Sequence, residues 1–336
     1  MKTQILGVAP ADARATAVSM AVELLRRGEC VALPTETVYG LAANALDVNA
    51  ALKIFEAKER PRFDPLIVHL PNREWLPRLT SVPAEQQELV EKLTDAFWPG
   101  PLTLVLPRKS IVPDVVTAGL DTVAVRVSAH LVFSEVAARF DGPLAAPSAN
   151  RFGRISPTEA GHVRAELDGR IPLIVDAGRT MHGLESTIVA PSGDMLNVLR
   201  QGPITTAQLR DFAAVSVVTR NARVQAPGQL PSHYAPRTPL VVTNDISSLL
   251  AQGKRVGILT FDRLSPSRDL REAAANLFAC LRELDAAGYD VIAAEELPEE
   301  GLGCAIMDRL RRAAGRPSTQ HAVIPSREDD ERPHNG

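Results

Sequence analysis

The segment CVALPTETVYGL, residues Cys30–Leu41, joins a short apolar run to a hydroxyl-rich turn that begins with a proline. Before it, apolar residues recur at helical spacing from Ala11 to Arg27, and Gly28 stands where such a helix would stop. Cys30–Leu33 then predicts a short buried strand. Ligands of open α/β sheets usually bind where the strands end, so the turn after this strand is a candidate site.

The same alternation of strands and helices continues far beyond this segment. Apolar runs predict further strands at Pro65–Leu70, Leu102–Leu106, Val123–Val127, Leu173–Val175 and Thr187–Ala190. Helical spacing predicts helices at Asn49–Lys58, Glu85–Phe97 and Leu131–Phe140. Two capping boxes, Ser156 with Glu159 and Thr205 with Gln208, predict the starts of two more. We therefore expect one α/β domain over residues 11–213, built on a twisted, open, mixed sheet with flanking helices.

A second, smaller domain is predicted after a proline-rich linker. The helix and strand pattern fades over residues 214–238, which include PSHYAP (Pro231–Pro236). Residues 239–325 then alternate strands and helices and predict a Rossmann-like, three-layer α/β domain. Its predicted strands are Leu240–Thr243, Arg255–Thr260 and Val291–Ala294, and its predicted helices are Ile246–Ala251, Asp269–Ala287 and Leu302–Ala314. The polar residues 326–336 predict a disordered tail.

Composition excludes several classes of protein without selecting one. The chain has 336 residues, of which 45% are hydrophobic, and 37 Lys and Arg stand against 40 Asp and Glu. This apolar content is too high for a disordered chain, and the balanced charge does not favour a basic nucleic-acid module. No run of 18 apolar residues and no signal-like N-terminus is present. Three dispersed cysteines favour neither a disulfide scaffold nor a thiolate metal site. We expect a cytoplasmic protein that does not contact a membrane.

The run KERPRFDPLIVHL (Lys58–Leu70) places Lys58, Arg60 and Arg62 at the end of a predicted helix. Such cations could clamp a polyphosphate, or they could simply complement the helix dipole at the surface. His69, near the end of the following strand, could be a binding residue or a core histidine. The threonines of the PTETVYGL turn likewise could bind a ligand or only satisfy local amides.

The strand TVAVRV (Thr122–Val127) carries the clearest functional signal. Its valines share one face, so Arg126 lies on the other, in the middle of a buried strand. A buried arginine is costly unless it meets an anion, and a structural partner would itself need burying, so the pattern favours a bound ligand. Ser156 could be an anion site at a helix N-terminus or only a cap. Ser186 and Arg200 fall at predicted strand ends.

The absence of several well-known motifs limits the chemistry that the site could perform. No Walker A, GxGxxG or HExxH motif is present, and the seven histidines lack ligand spacing, so a protein-held zinc is not expected. Hydroxyls, one strand arginine and several loop cations suit a site that binds a nucleotide and a small carboxylate together.

Six motifs, in order, resemble one family: PTETVYGL, KERPRFDPLIVH, FWPGPLTLVL, TVAVRV, PSAN and ESTIV. They are similar to the L-threonylcarbamoyladenylate synthases, whose YrdC-like domain would span about Ala15 to Gly202. PSHYAP and the second domain resemble the long, two-domain form. The resemblance implies a nucleotidyltransferase that condenses L-threonine, bicarbonate or carbon dioxide, and ATP to threonylcarbamoyl-AMP and pyrophosphate. The product would serve, through a separate transferase complex, to modify the adenosine beside the anticodon in tRNAs reading ANN codons.

The resemblance also implies roles for individual residues. L-threonine would be bound by Thr37, His69, Arg126, Ala146 and Ser186. ATP would be bound by Lys58, Arg60, Asp64, Thr122, Ser148, Ser156, Arg200 and Tyr234, with Lys58 and Arg60 as the catalytic cations. Tyr234 would close over the nucleotide from the linker. Mg²⁺ is expected with ATP, with no metal held by protein alone and no tightly held organic cofactor; many relatives carry Asn at the Asp64 position.

Two alternatives stay open at this point. A module of the same fold could bind tRNA or double-stranded RNA without making an adenylate, although the balanced charge counts against it. A carbamoyl-transfer enzyme of the hydrogenase-maturation type contains a similar domain, but the cysteine pairs of its zinc-finger-like segments are absent here. Contact with tRNA is compatible with the synthase prediction but not required by it.

Overall fold

The computed structural model describes residues 2–218 and 233–315. Within these ranges eleven strands form one sheet, in the order β1-β8-β2-β3-β7-β4-β6-β5-β9-β10-β11. The strands are β1 (Gln4–Gly7), β2 (Val31–Leu33), β3 (Gly40–Asn44), β4 (Ile67–His69), β5 (Leu102–Pro107), β6 (Thr122–Arg126), β7 (Leu144–Ala145), β8 (Leu173–Asp176), β9 (Thr187–Ser192), β10 (Met195–Arg200) and β11 (Ala214–Val217). Neighbours pair in both directions: β4 and β6 are parallel, and β5 and β6 antiparallel. The predicted open, mixed sheet is confirmed.

Helices cover both faces of this sheet because alternate strand residues point to opposite sides. Val31 and Leu33 join the apolar cluster of α1 and α6, whereas Ala32 joins that of α2, α4 and α7. The helices of this unit are α1 (Ala11–Arg26), α2 (Val48–Lys58), α3 (Leu76–Leu79), α4 (Gln87–Phe97), α5 (Asp114–Thr117), α6 (Leu131–Phe140), α7 (Ala160–Leu167) and α8 (Thr206–Arg210).

The second unit contains a parallel three-stranded sheet in the described residues, as predicted. Its strands β12 (Leu240–Val242), β13 (Val256–Leu259) and β14 (Val291–Ala294) lie in the order β12-β14-β13. Its helices are α9 (Ile246–Ala251), α10 (Phe261–Leu264), α11 (Leu270–Ala286) and α12 (Leu302–Ala314). Val38, Ile155 and Leu184 of the first unit belong to the same apolar cluster as Phe278 of α11. The two units therefore share an apolar interface.

A glycine permits part of that contact. Gly183 has φ +64°, and a Cβ at this position would lie 2.5 Å from the Cα atom of Ala275 in α11. Any side chain here would push the two units apart, because so short an approach leaves no room for a methyl group. The close packing of α11 against the first unit thus depends on this residue.

The sheet extends beyond both predicted bounds of the first domain. β1 pairs with β8 although it precedes residue 11, and β11 pairs with β10 although residues 214–217 were assigned to the linker. Both are four-residue strands at the two edges of the sheet, where one side is unpaired and the apolar signal is weak. The linker residues 219–232 and the predicted tail, 326–336, lie outside the described residues.

One of the two predicted capping boxes is present. Thr205 and Gln208 form it at the start of α8. The other is absent: α7 begins at Ala160, and its N-cap residue Glu159 makes no side-chain cap. Ser156 instead donates a hydrogen bond from its hydroxyl to the carboxylate of Glu185. Because its side chain is used in this buried hydrogen bond, it does not cap a helix as the sequence predicted. No helix in the described ranges is long and apolar enough to cross a membrane.

Candidate active site

Strand ends bring most of the predicted site residues to one pocket. His69 ends β4 and lies opposite Arg126, which ends the parallel neighbour β6, while Arg200 ends β10. The PTET turn follows β2, and Ala146 follows β7. The pocket formed there includes the predicted residues Thr37, Arg60, His69, Arg126, Ala146, Ser148, Ser186, Arg200 and Tyr234. Predicted site residues from widely separated parts of the chain, from Thr37 to Tyr234, therefore meet in space.

The pocket is narrow in this conformation. The cavity has a volume of about 40 Å³, which holds a few waters. Pockets for small ligands are typically roughly 300–1,000 Å³, so a nucleotide can enter only if part of the lining moves. His233 and Tyr234 lie in that lining and are both buried. They belong to the segment that directly follows the undescribed residues 219–232.

Arg126 is buried against a carboxylate of the protein itself. Its guanidinium donates to Glu36 and, over 3.2 Å, to the hydroxyl of Thr37, whereas its Nε atom has no hydrogen-bond partner among the described residues. Burial alone would raise the pKa of Glu36, but Arg126 and the Ser128 hydroxyl hold this pKa below its ordinary value. The sequence pattern favours a ligand because a structural partner would itself need burying, and Glu36 is such a buried partner. The free Nε–H still makes Arg126 a candidate anion donor.

His69 lies beside Arg126 as a neutral ring. Burial, and to a smaller extent Arg126, lowers the pKa of His69 well below its ordinary value. Its Nδ1 atom is buried without a hydrogen-bond partner, and its ring centroid is 4.6 Å from that of Phe133. The ring therefore packs as a core histidine does, yet it also presents an unsatisfied nitrogen next to the pocket.

Arg200 and Ser186 form a hydrogen-bonded pair in the pocket lining. The Arg200 guanidinium donates to the backbone oxygen and to the hydroxyl of Ser186, each over 3.0 Å. The same hydroxyl lies 2.8 Å from that of Thr103 in β5. Gly202 allows this arrangement, because a Cβ there would lie 2.5 Å from the Glu185 carbonyl oxygen.

The two predicted catalytic cations are both buried and engaged by the backbone. Lys58 donates its ammonium group to the carbonyls of Ser148 and Asn150, and burial lowers its pKa well below the ordinary range. Arg60 lines the pocket; it donates to the Pro65 carbonyl over 2.7 Å and lies 2.9 Å from Oδ2 of Asp64. Lys58 thus shapes the PSAN loop and does not itself line the pocket.

Asp64 is a buried carboxylate with few partners. Burial raises its pKa, although Arg60 acts in the opposite direction. Oδ2 pairs with Arg60, whereas Oδ1 has no hydrogen-bond partner among the described residues. Among the described residues no three His, Cys, Asp or Glu side chains cluster as a metal site. A metal ion here would need ligands from a bound molecule as well.

Two threonines of the PTET turn have different roles. Thr35 accepts hydrogen bonds from the amides of Thr37 and Val38, over 3.1 and 3.2 Å, and donates to the Val38 carbonyl. It behaves as a turn residue, the local interpretation that the sequence left open. Thr37 extends to Arg126 and remains a candidate for ligand binding.

Four predicted ATP residues do not line the pocket: Lys58 and Asp64, described above, and Thr122 and Ser156. Thr122 begins β6, at the opposite end of the strand from Arg126, and lies among the residues of a separate surface pocket with Pro107 and Pro191. Four residues along a strand span roughly 13 Å, so its side chain is remote from the site. Ser156 is fully buried behind Glu185 and touches the pocket only through it.

Sequence reasoning missed several residues that line the pocket or hold its lining, among them Glu36, Glu185 and His233. Glu36 and Glu185 stand inside the quoted motifs PTETVYGL and ESTIV, yet neither was assigned a role. His233 precedes Tyr234, and burial lowers its pKa well below the ordinary value. For the two glutamates the available signal was an acidic residue beside a predicted strand, because such a residue needs a cationic partner if it is buried.

A mixed α/β sheet whose strand ends surround buried arginines, hydroxyls and a lysine defines an enzyme-like site for small anions. Two family models match the chain: one described as "Telomere recombination" (Sua5_yciO_yrdC) over residues 23–202, and "Threonylcarbamoyl-AMP synthase, C-terminal domain" over residues 204–315.

Curated relatives and a solved structure agree with these matches. The Threonylcarbamoyl-AMP synthase of Pyrococcus abyssi is 41% identical, with 89% of this chain and 94% of the relative covered. That of Bacillus subtilis is also 41% identical, covering 89% and 93%. The crystal structure of P. abyssi Sua5 complexed with L-threonine matches with a TM-score of 0.84 and 39% identity, over 93% of this chain and 98% of that one. The chain belongs to the threonylcarbamoyl-AMP synthase family, and the predicted enzyme class, a nucleotidyltransferase, is confirmed.

Proposed function

We propose that this chain condenses L-threonine, bicarbonate or carbon dioxide, and ATP to threonylcarbamoyl-AMP and pyrophosphate. One observation carries the proposal: three buried arginines, together with hydroxyl groups and a histidine, line a single pocket. Arg126, hydrogen-bonded to Thr37, would bind a carboxylate, and Arg60 and Arg200 in the same lining would bind phosphates. The relatives named Threonylcarbamoyl-AMP synthase and the P. abyssi structure with L-threonine support threonine and ATP as the substrates.

Arg126 would bind the carboxylate of L-threonine through its free Nε–H. Thr37 and Ser186 offer hydroxyls, and the neutral His69 offers a nitrogen, to the amine and hydroxyl of the amino acid. Because Arg126 is already paired with Glu36, a bound carboxylate would join an existing ion pair and would not meet an isolated charge. This arrangement favours orientation of the amino acid in the pocket.

Arg60 and Arg200 would bind the phosphates of ATP, with Lys58 behind them. In the reaction, the threonine amine takes up carbon dioxide, and the resulting carbamate attacks the α-phosphorus while pyrophosphate leaves. Both partners are anions, so the protein's main contributions are positioning and charge neutralisation. A covalent protein nucleophile is not required. An ATP phosphate near Lys58 would raise the pKa of its ammonium group again, so nucleotide binding favours the charged lysine.

Mg²⁺ fits this site as a companion of ATP. Oδ1 of Asp64 is buried and lacks a hydrogen-bond donor among the described residues, and carboxylate oxygen is a ligand that Mg²⁺ prefers. Asp64 would hold the ion together with phosphate oxygens. The ion would supply further neutralisation of the phosphate charge.

The product would pass to a separate transferase complex for modification of the adenosine beside the anticodon in tRNAs reading ANN codons. Direct contact with tRNA is not needed for the first step, and we expect the reaction to take place in the cytoplasm. The balanced charge of the chain, 37 Lys and Arg against 40 Asp and Glu, favours small anions over a nucleic acid as its ligands.

The test is pyrophosphate release by the full chain with ATP, Mg²⁺ and bicarbonate, measured with L-threonine, with L-serine and with no amino acid. We expect release that depends on L-threonine and that is much weaker with L-serine. Mass spectrometry should find threonylcarbamoyl-AMP among the products. Pyrophosphate release that is the same with and without L-threonine would contradict the proposal.

A further inference from the structure

Arg309 is a fully buried arginine of the second unit that reaches the first. It lies on α12 and has no exposed surface. Its Nε donates to Oε2 of Glu185 over 2.9 Å, and a terminal nitrogen donates to the backbone oxygen of Gln201 over 2.8 Å. Glu185 lines the pocket, and Gln201 follows Arg200 directly. The second unit is therefore connected to the pocket by a charged side chain.

The same guanidinium holds Tyr234. Its Cζ atom lies 5.1 Å from the centroid of the Tyr234 ring, and that ring stacks on Phe278 of α11 with centroids 5.6 Å apart. A cation over an aromatic face is attractive, more so when both are removed from water. Two groups of the second unit thus keep this tyrosine in the pocket lining. The backbone of Tyr234 has φ +64°, an unfavourable conformation for a bulky residue that its surroundings must maintain.

Glu185 connects Arg309 to a third buried residue, Ser156. Its Oε1 atom accepts a hydrogen bond from the hydroxyl of Ser156, while its Oε2 atom accepts one from Nε of Arg309. Arg309, Glu185 and Ser156 form a continuous buried chain from α12 to the wall of the pocket. Removal of the guanidinium would leave Glu185 as a buried charge without its cation, beside the groups assigned to the phosphates.

A second arginine at the same interface, Arg282, joins the two units without contacting residues of the pocket. Arg282 of α11 lies 3.4 Å from Glu166 and donates to the Ile155 carbonyl, both in the first unit. Neither partner lines the pocket. Arg282 and Arg309 thus both join the two units, but only Arg309 contacts side chains of the pocket.

We propose that Arg309 is a positioning residue for the ATP subsite. It neutralises Glu185 and holds Tyr234, so that the second unit completes the nucleotide side of the pocket. The proposal rests on the proposed function, and it assigns to the second unit a role in ATP binding. The threonine side, built from Arg126, Thr37 and His69, has no contact with Arg309.

The test compares Arg309→Met with Arg282→Met in the full chain, using pyrophosphate release and the melting temperature. For Arg309→Met we expect the KM for ATP to rise about tenfold, the size of effect that about 1.4 kcal/mol of lost binding produces. The KM for L-threonine should stay close to that of the unaltered chain. Arg282→Met should keep both KM values, whatever it does to the melting temperature.

Two further variants separate a role in ATP binding from a role in folding. Arg309→Lys keeps the charge but loses the fork that reaches Glu185 and Gln201 together, so the KM for ATP should rise less than in Arg309→Met. The double variant Arg309→Met with Glu185→Gln removes the unpaired carboxylate and should recover part of the lost ATP affinity. If Arg309→Met does not fold, Arg309→Lys carries the comparison with Arg282→Met.

An unchanged KM for ATP in the folded Arg309 variants would overturn the proposal, and so would an equal rise in the KM values for ATP and L-threonine. Should the unaltered chain release no pyrophosphate, the proposed reaction fails separately. Binding of ATP is then measured by calorimetry, where a Kd about tenfold weaker in Arg309→Met than in Arg282→Met supports the proposal. Equal Kd values in these two variants contradict it.

Discussion

Two buried arginine–glutamate pairs stand at the pocket, and they differ in what the arginine touches. Arg126 pairs with Glu36 inside the first unit, lines the pocket and keeps a free Nε–H. Arg309 pairs with Glu185 across the two units and stays behind the lining. The same type of ion pair thus presents a candidate ligand-binding group at Arg126 and supports the pocket lining at Arg309. The position of the arginine relative to the cavity, more than its burial, separates the two roles.

The largest effect is expected from Arg126→Ala. Loss of the guanidinium removes the proposed carboxylate ligand of L-threonine and leaves Glu36 buried without its cation, which costs about 3–5 kcal/mol of stability. We expect the KM for L-threonine to rise by about two orders of magnitude, as loss of a hydrogen-bonded charge pair does in binding. Threonine-dependent pyrophosphate release measures this, with the folded fraction followed by circular dichroism. A threonine dependence like that of the unaltered chain would remove Arg126 from the site.

A smaller effect is expected from substitutions of Tyr234, the residue that Arg309 contacts. Tyr234→Ala removes the ring between Phe278 and Arg309, so we expect the KM for ATP to rise about tenfold, the equivalent of about 1.4 kcal/mol. Tyr234→Phe keeps the ring and loses only a hydroxyl that has no hydrogen-bond partner in the described structure. Its KM for ATP should lie between those of Tyr234→Ala and the unaltered chain. Equal effects of the two substitutions would show that the ring packing is irrelevant.

The free energy of unfolding should decrease moderately as the pH falls below 6.5. Burial lowers the pKa of His69 and of His233 well below the ordinary value of 6.5. Below pH 6.5 the unfolded chain binds more protons than the folded one, so the free energy of unfolding should fall as pH drops from 6.5 towards 5. Each such histidine contributes a slope of up to about 1.4 kcal/mol per pH unit.

Urea unfolding at several pH values measures that slope, and His233→Asn should reduce it relative to the unaltered chain. His130, His162 and His182 also have pKa values lowered by burial, so one substitution removes only part of the dependence. A slope that His233→Asn does not change would indicate that this ring is charged in the folded protein.

The smallest effect is expected from Thr122→Val. This residue was assigned to ATP by resemblance, but it lies at the far end of β6 from Arg126. We expect both KM values to stay within about twofold of those of the unaltered chain, the usual range for a substitution away from the site. A tenfold rise in the KM for ATP would restore Thr122 to the nucleotide site.

The residues that sequence reasoning placed correctly are those whose position follows from strand periodicity. Alternation along TVAVRV put Arg126 opposite its valines, and parallel pairing of β4 with β6 brings His69 beside it. The strands β3 and β7 were missed: β3 (GLAAN) is rich in small residues, and β7 has only two residues. Neither is long enough to show a clear period.

Long-range partners explain most of what the sequence could not predict. Glu36 and Arg126 are 90 residues apart, and Arg309 and Glu185 are 124 apart, so nothing local indicates either pair. A signal for Arg309 does exist: it shares a helical face with Ile306 and Ala313, both buried. A cation on an apolar helix face requires a buried partner, but the identity of that partner depends on the fold.

The most direct test of this account is a pair of KM values, for L-threonine and for ATP, measured in Arg126→Ala and in Arg309→Met. We predict opposite selectivity: Arg126→Ala should raise mainly the KM for L-threonine, and Arg309→Met mainly the KM for ATP. If both variants raise both KM values in the same proportion, the two arginines do not divide the pocket between the substrates. That result would contradict the account.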